Sequence, residues 1–599
     1  MNLKLNPIKT VESAIFRLFK NDPKLKNYFG EKIDPIIRLS DPKFGDFQAN
    51  GVLALAKSKN LNAIELANDI SQKLSDEEYL GTKYFRMSVA APGFINFSLK
   101  EDFLIKWIQS FNSIDAITKD ISKYYDKKTI IVDFPSANTA KQAHIGHLRP
   151  MVIGESIARI IEFAGAKVIR DNHIGDWGTN FGTLIMIIKK ELIDLKSIGT
   201  PSEALEEIDR LYKKASLIEK LTPELRDTSR NELVKLQNGD LENTQIWENI
   251  ITISNQAFEE LFEQLGVRID VTLGESFYKD KVQRVYDELS DLKIAEESEG
   301  ALVVWHNETK KFAKNNPRPF PFNIRKKDGA SNYASTDLAT LIYRIEHFRA
   351  EEIIYLTDAR QKDHFEQLFL TANKWIQAKN YPKPNFKHVW WGTILGSTNK
   401  PIKTKSGGSI KLQSIIDEAI IRAKEVVSQK NPQLSENEKD SIAKAIGIGA
   451  IKYADLSSNR TLDYVFEWDR MLSFEGNTAP YLLYVFARIN SIFKKSNLNK
   501  TIQDFSKLSE LETKHERLLV RKLIQFSFAL EQSLSDLRPH FLCTYLFELS
   551  GIFNTYYSND KIIHENAETQ LRRLTLCHRT QLILKLGLKL LGINTIEKM

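Results

Sequence analysis

Two histidines three residues apart flank a glycine in "NTAKQAHIGHLRP", Asn138–Pro150. The apolar run "KKTIIVDF" precedes this stretch and a long amphipathic segment follows it, so the pair falls where a strand gives way to a helix. A helix N-terminus offers unpaired N–H groups and a positive dipole end to a phosphate. His144 and His147 could donate to phosphoryl oxygens as charge builds in a displacement at phosphorus. One well-placed donor of this kind is worth roughly 3 kcal/mol in the transition state. Gly146, without a side chain, would let a flat base lie against the backbone. The structural alternative is that both histidines only cap the helix. Neither GxGxxG nor GxxxxGK[ST] occurs, so neither a dinucleotide site nor a P-loop is supported.

Other stretches could join such a site. "KTKSGGS" (Lys403–Ser409) is a glycine-rich loop whose lysines, Lys403 and Lys405, could swing a cation onto phosphates, or it is a simple basic turn. "HIGDWGTNFG" offers His173, Asp176 and Trp177 as pocket-lining groups or as a structural turn around a packed Trp. Trp390–Gly392 could flank a base or belong to the core. Tyr333 and Asp337, four apart at the start of a helical stretch, share one face.

These residues need elements to position them. Strand 127–134, its loop, a helix from about His147 to Ala164 and the strand "AKVIRDN" make a βαβ unit, hence the start of a parallel sheet. Pro150 suits the helix's first turn. In open α/β sheets ligands gather at the carboxyl ends of the strands, where the histidine loop lies. Before this unit, residues 1 to about 115 read as a small α+β module. Helical periods cover Val11–Lys20, Ala49–Lys57 and Ala63–Leu74, and "YFRMSVAAPGFINFSL" alternates as strands around a Pro-Gly turn. A helical bridge follows at about 100–126. Residues 183–265 read as mostly helical and charged, an insertion or a packed helical layer. Short strands are expected at Ala301–Trp305, Ile353–Leu356 and His388–Trp391. After Lys411 helices dominate, with a break at "SFEGNTAP", near 470–478.

The chain has 599 residues, enough for two to four domains, with 42% apolar and 27% charged residues. Net charge is +7, and from Gly476 to the end 17 Lys and Arg stand against 11 Asp and Glu, a net +6. A basic helical end suits a polyanion, or is an ordinary solvated surface. The two cysteines, Cys543 and Cys577, have neither zinc-ligand spacing nor a disulfide framework, which suits a reducing compartment. No apolar run would span a bilayer and the N-terminus is too interrupted for a secretory signal, so a cytoplasmic protein with no membrane partner is expected.

The tetrad "HIGH" between strand and helix resembles the first signature of the class I aminoacyl-tRNA synthetases. The block Ser136–Gly182 narrows the resemblance to the arginyl-tRNA synthetases. So do "GDFQAN" with "PGFINF", "DGASNYASTDLA", "TDARQKDHFEQLF", "NKPIKTKSGG" and "EGNTAPYLLYVFARI", in order across nearly the whole chain.

That resemblance implies an α/β multidomain protein: an N-terminal α+β module, residues 1–115, that reads the tRNA elbow, with Phe44 and Asn50 near its signature; a class I Rossmann-like parallel-sheet catalytic domain, 116–472, with a helical insertion at about 183–300; and an all-α anticodon-binding domain, 473–599. It implies ATP-dependent activation of L-arginine and transfer to the 3′ end of tRNA(Arg), with a tRNA requirement for activation, Mg²⁺ accompanying ATP, no zinc or other protein-bound metal, no DNA partner and a monomer. His144, Gly146, His147 and Lys405 would meet ATP. Lys141, just before the tetrad, would supply charge missing from the altered second signature, in competition with Lys403 and Lys405. Tyr333 and Asp337 would hold the guanidinium, which a carboxylate accepts as a bidentate fork, with Glu275 as a second carboxylate. Asn138 and Gln361 would contact the ammonium or carboxylate end. A pocket reading charge and hydrogen bonds rejects analogues by about 10⁴–10⁵, so no editing domain is expected. In the last domain Tyr481, Tyr484, Phe541, Tyr545, Tyr556 and Tyr557 could stack unpaired bases; helical spacing puts most of them in the core, with Tyr556 and Tyr557 the expected exposed ones. Competing expectations are another adenylyl-transfer enzyme that shares the tetrad, and a non-catalytic tRNA-binding paralogue. The first is disfavoured by Asp337, the cysteine spacing and the basic C-terminal domain, the second by the intact site residues.

Overall fold

A computed structural model of the chain describes residues 3–28, 35–41, 43–76, 78–317, 319–396, 398, 400, 402, 410–496, 508 and 510–598. Lys403 and Lys405 lie outside the described residues.

The centre is a five-stranded parallel sheet. Its order is Asn385–Val389, Glu352–Leu356, Thr129–Asp133, Lys167–Asn172 and Val271–Thr272. The middle strand is the expected apolar run; Ile130, Ile131 and Val132 are fully buried, as a strand covered on both faces requires. The chain leaves this strand to one side and returns on the other at Glu352–Leu356. The loops after these two strands therefore diverge and open a crevice at the carboxyl edge. Sequence periodicity gives four of these strands, with the edge strand expected at His388–Trp391 beginning three residues earlier, but neither Val271–Thr272 nor this order.

The helix Leu148–Phe163 buries Ile153, Ile157, Ile160 and Ile161 as its spacing predicts. The insertion forms four helices, Asn180–Glu191, Pro201–Leu221, Pro223–Gln237 and Leu241–Leu265, around a core of their own that includes Phe181, Leu184, Ile208, Leu211 and Ile250. The strand expected at Ala301–Trp305 is Ala301–Val304. It pairs with Glu296–Ser298 and Phe322–Arg325 in a separate antiparallel sheet, which leads into the helix Tyr333–Glu346.

The N-terminal module is a four-stranded antiparallel sheet with Ile37–Leu39 at one edge and Phe85–Ala90 at the other, and its helices Pro7–Asn21 and Ala63–Leu74 lie close to expectation. It leans on the C-terminal helices: Asn6 donates to Glu531 at 2.8 Å, Arg517 to Glu101 at 2.8 Å, and Arg521 pairs with Asp46. After Leu412 the described elements are almost all helices, and the chain breaks between Trp468–Met471 and Ala479–Lys495. No described helix is long and apolar enough to cross a membrane.

Candidate active site

The loop from Phe134 to His144 is held at many points. Ser136 and Ala140 adopt left-handed backbone angles, φ 53° and 63°, at a cost of roughly 1–2 kcal/mol each for residues with a Cβ. Hydrogen bonds hold both in place. Ser136 donates its N–H to Asn172 Oδ1 at 3.1 Å and its hydroxyl to Asp133 Oδ1 at 2.7 Å; Ala140 donates its N–H to Ser254 Oγ at 3.1 Å. Asn138, exposed, bridges to Gly175, where an added Cβ would sit 2.6 Å from the Asn138 Oδ1.

The histidines do cap the turn, and that capping fixes their chemistry. His144 donates its backbone N–H to Nδ1 of His147 at 3.1 Å, and Gly146 donates its N–H to Nδ1 of His144 at 3.1 Å. An N–H can only donate, so each Nδ1 accepts and each neutral ring carries its proton on Nε2. Burial pushes the pKa of His144 down, and burial with the nearby His144 pushes that of His147 to about 3. The ring centroids are 4.0 Å apart. Capping and donation are thus not alternatives: one nitrogen serves the backbone and the other remains a donor. Gly146 serves the pair directly, since a Cβ there would meet His144 Cε1 at 2.8 Å.

Four contacts missed by the sequence reading hold this turn. Arg149, 1% exposed, donates through Nη1 to Gly392 O at 2.7 Å and pairs with buried Asp455 at 3.1 Å. Ile145 donates to Ile410 O at 2.9 Å and Leu412 to Ala143 O at 3.0 Å, so Ile410–Leu412 run beside the histidine turn. Lys411 pairs with Glu206. Exposed Lys141 lies over the Tyr212 ring at 5.4 Å, against the insertion.

The helix Tyr333–Glu346 begins with a capping box between Asn332 and Ser335. Its first turn presents Tyr333, 75% exposed, and Asp337 one turn on. The Tyr333 ring therefore stands exposed rather than packed in the core. Asp337 Oδ2 lies 2.6 Å from His364 Nε2, a neighbour that nothing in the sequence pairs with it. Glu275 opens the short helix Glu275–Tyr278. Burial raises its pKa, opposed by His173 and reinforced by the charges of Asp176 and Asp337, so the two candidate carboxylates, Glu275 and Asp337, share one electrostatic neighbourhood. Gln361 is exposed at the end of the 3₁₀ turn Ala359–Gln361, which Asp358 caps.

Asp176 is committed to structure: it accepts from Ser276 N–H at 2.8 Å and Ser276 Oγ at 2.6 Å, and a Cβ on Gly274 would strike it. Trp177 packs edge-on against Trp247 with Lys279 over its ring. His173 Nδ1 lies 3.1 Å from Leu273 O, and its charge opposes the raised pKa of Glu275. Trp391 is core, 8% exposed, whereas Trp390 carries Lys362 Nζ 3.2 Å from its ring centre. Among the described residues no group of three or more His, Cys, Asp and Glu could hold a metal. Both cysteines are buried and unbonded.

Among the C-terminal helices the expectation for Tyr556 fails. Its ring is fully buried, with the hydroxyl toward Arg573 O at 3.3 Å. On the helix His540–Asn559 it continues the core stripe of Leu549 and Phe553, and the next residue turns outward. Tyr557, 39% exposed, is that outward residue. Arg488 lies over both its ring, at 5.4 Å, and that of Tyr484, at 4.7 Å, and donates to Asn554 at 2.8 Å. Tyr484 is also 39% exposed. In the N-terminal module Phe44 is exposed with Lys43 over its ring, and Asn50 is half-buried just before the helix Gly51–Lys59.

The family model for the catalytic domain of class I tRNA synthetases (R) matches residues 113–468, more than half of the chain. The chain belongs to the arginyl-tRNA synthetase family. The arginyl-tRNA synthetase N-terminal domain matches 8–99 and the DALR anticodon-binding domain 482–599. An arginine–tRNA ligase of Haemophilus influenzae is 39% identical over 576 residues, 95% of this chain and 96% of that one. One of Fusobacterium nucleatum is 41% identical over 563 residues, 94% of each. The crystal structure of arginyl-tRNA synthetase from Plasmodium falciparum covers all of both chains at a TM-score of 0.79 and 28% identity. That of Thermus thermophilus, at 22% identity, shares the fold with a TM-score of 0.80 over 99% of this chain and 100% of that one. As an arginyl-tRNA synthetase the chain is a class I aminoacyl-tRNA ligase, a class that uses ATP.

Proposed function

We propose that the crevice between the histidine turn and the Asp337 helix binds ATP and L-arginine side by side and joins arginine to tRNA(Arg). One observation carries this reading: His144 and His147 each accept a backbone N–H at Nδ1 and keep Nε2 as a donor, while Asp337 and Glu275 concentrate negative charge in one neighbourhood. The first suits phosphoryl oxygens and the second a guanidinium. Asp337 takes the guanidinium fork with Tyr333 along its side, and Glu275 adds charge. Asn138 and Gln361, exposed at the strand ends, hold the ammonium and carboxylate end. The arginine carboxylate attacks the α-phosphorus, pyrophosphate leaves, and His144 and His147 donate to the oxygens that gain charge. A ribose hydroxyl of the tRNA terminus then attacks the carbonyl of arginyl-adenylate and AMP leaves. Positioning and electrostatics supply the rate, without a protein nucleophile.

Mg²⁺ would accompany ATP as its counterion. Lys141, Lys403 and Lys405 are the cations available to the phosphates. The module 1–115 takes the tRNA elbow, 116–472 the chemistry and 473–599 the anticodon, where Tyr557, Arg488 and Tyr484 form an exposed patch on which unpaired bases stack. The protein acts in the cytoplasm as a monomer.

Amino-acid-dependent ATP–pyrophosphate exchange on wild type and Asp337→Asn, with tRNA binding measured in parallel, tests the reading. Loss of arginine-dependent exchange with tRNA binding intact is expected; equal loss of both would remove Asp337 from the pocket.

A further inference from the structure

Asp337 has a partner before any substrate arrives. Its Oδ2 lies 2.6 Å from Nε2 of His364, on the helix Lys362–Lys379. The Asp337 side chain is 19% exposed and that of His364 27%, so the contact sits at the pocket wall rather than in open solvent. The imidazole has little freedom. Phe322 lies 5.6 Å away between ring centres and Phe365 5.2 Å away, nearly perpendicular at 88°.

A carboxylate accepts only, so Nε2 carries the proton in this contact. Each carboxylate oxygen has two lone pairs. Oδ2 can therefore accept from His364 and still accept one N–H of a guanidinium, while Oδ1 accepts the other. The contact leaves the fork-accepting capacity in place and fixes the carboxylate plane. The fixing matters because the terminal torsion of an aspartate is broad and roughly two-fold, so an untethered carboxylate samples planes that miss the fork. Ordering it at the moment of binding would be charged against arginine affinity.

We infer that His364 is a positioning residue of the amino-acid pocket: by donating from Nε2 it holds the Asp337 carboxylate in the plane that receives the guanidinium fork. It sets the affinity for arginine and leaves the ATP side unaffected. This rests on the assignment of Asp337 to the guanidinium.

The test uses the full-length protein with tRNA, at one fixed pH. Arginine and ATP are titrated separately in ATP–pyrophosphate exchange for wild type, His364→Phe, His364→Gln and Asp337→Asn, with the melting temperature of each. His364→Phe keeps the aromatic packing and removes the donor. It should raise KM for arginine about tenfold, with kcat and KM for ATP within about twofold. His364→Gln restores an N–H near the Nε2 position and should return KM for arginine to within about threefold of wild type. Should His364→Phe fail to fold, His364→Met, equally without a donor, carries the same expectation. A wild-type KM for arginine in the donorless variant, with Asp337→Asn impaired, overturns the role of His364 alone. Equal impairment of the Phe and Gln variants, or a matching rise in KM for ATP, shows a packing role and also overturns it. A wild-type KM for arginine in Asp337→Asn removes the assignment of Asp337, and the inference falls with it.

Discussion

Arg344 donates through Nη2 to Asp133 Oδ2 at 2.7 Å, from the helix that carries Asp337 to the end of the central strand. The same guanidinium reaches Asp171 Oδ2, 2.8 Å away at the end of the neighbouring strand, and all three side chains are buried. Seven residues, two helical turns, separate Asp337 from Arg344, so one stripe of this helix faces the pocket at one end and is pinned to the sheet at the other. Asp133 also anchors the histidine loop through Ser136. Arg344→Met leaves two buried carboxylates without their cation and should destabilise the fold by about 3–5 kcal/mol. Urea unfolding checks this, and a loss below about 1 kcal/mol would show that the pair is not a strut.

Because both Nδ1 atoms accept from the backbone, the imidazoles act as neutral donors. His147→Asn should lower the rate of arginyl-adenylate formation by about 10²–10³ while KM for arginine stays near wild type. A stability effect accompanies it. The folded pKa of His147, about 3, lies below the unfolded value of about 6.5. Between these pH values the unfolded chain binds the proton and the folded chain does not. The contribution of this group is therefore fully present above about pH 6.5 and is lost as pH falls toward 3. The asparagine variant should lose less stability across that window, as urea titrations at pH 7 and pH 5 would show.

Gly146 is required by its neighbour's ring. A Cβ would lie 2.8 Å from His144 Cε1, so Gly146→Ala should displace that imidazole. Single-turnover adenylate formation should slow by about 10²-fold, the effect of losing one donor, with melting temperature little changed. A rate within twofold of wild type would show that the ring has room to move.

Tyr556 and Tyr557 should separate cleanly. Tyr556→Ala removes a fully buried ring and should cost about 3–5 kcal/mol of stability. Tyr557→Ala removes a ring that is 39% exposed beneath Arg488 and should spare stability while weakening tRNA binding by about 1–3 kcal/mol. Filter binding beside thermal melts distinguishes the two outcomes.

Much of this was legible in the residues. Apolar runs such as Ile130–Val132 and the stripe Ile153, Ile157, Ile160 and Ile161 reveal strand and helix because burial imposes their periods. Strand order is a non-local property that periodicity does not encode, so the crevice between the loops after Asp133 and Leu356 emerges only in three dimensions. The pairs Asp337–His364 and Arg344–Asp133 are likewise invisible along the chain. Tyr556 and Tyr557 show the limit of phase: neighbours on a helix differ by about 100°, so a one-residue error exchanges core for surface. The family resemblance marked Asp337; alone it was an aspartate on a helix. Lys403 and Lys405, outside the described residues, keep their roles as expectations.

The most direct test is amino-acid-dependent ATP–pyrophosphate exchange, run over all twenty amino acids with cognate tRNA on wild type and Asp337→Asn. Exchange with arginine alone is predicted, abolished in the variant while tRNA binding persists. Exchange with another amino acid, or arginine exchange undiminished in Asp337→Asn, would contradict the assignment of this pocket.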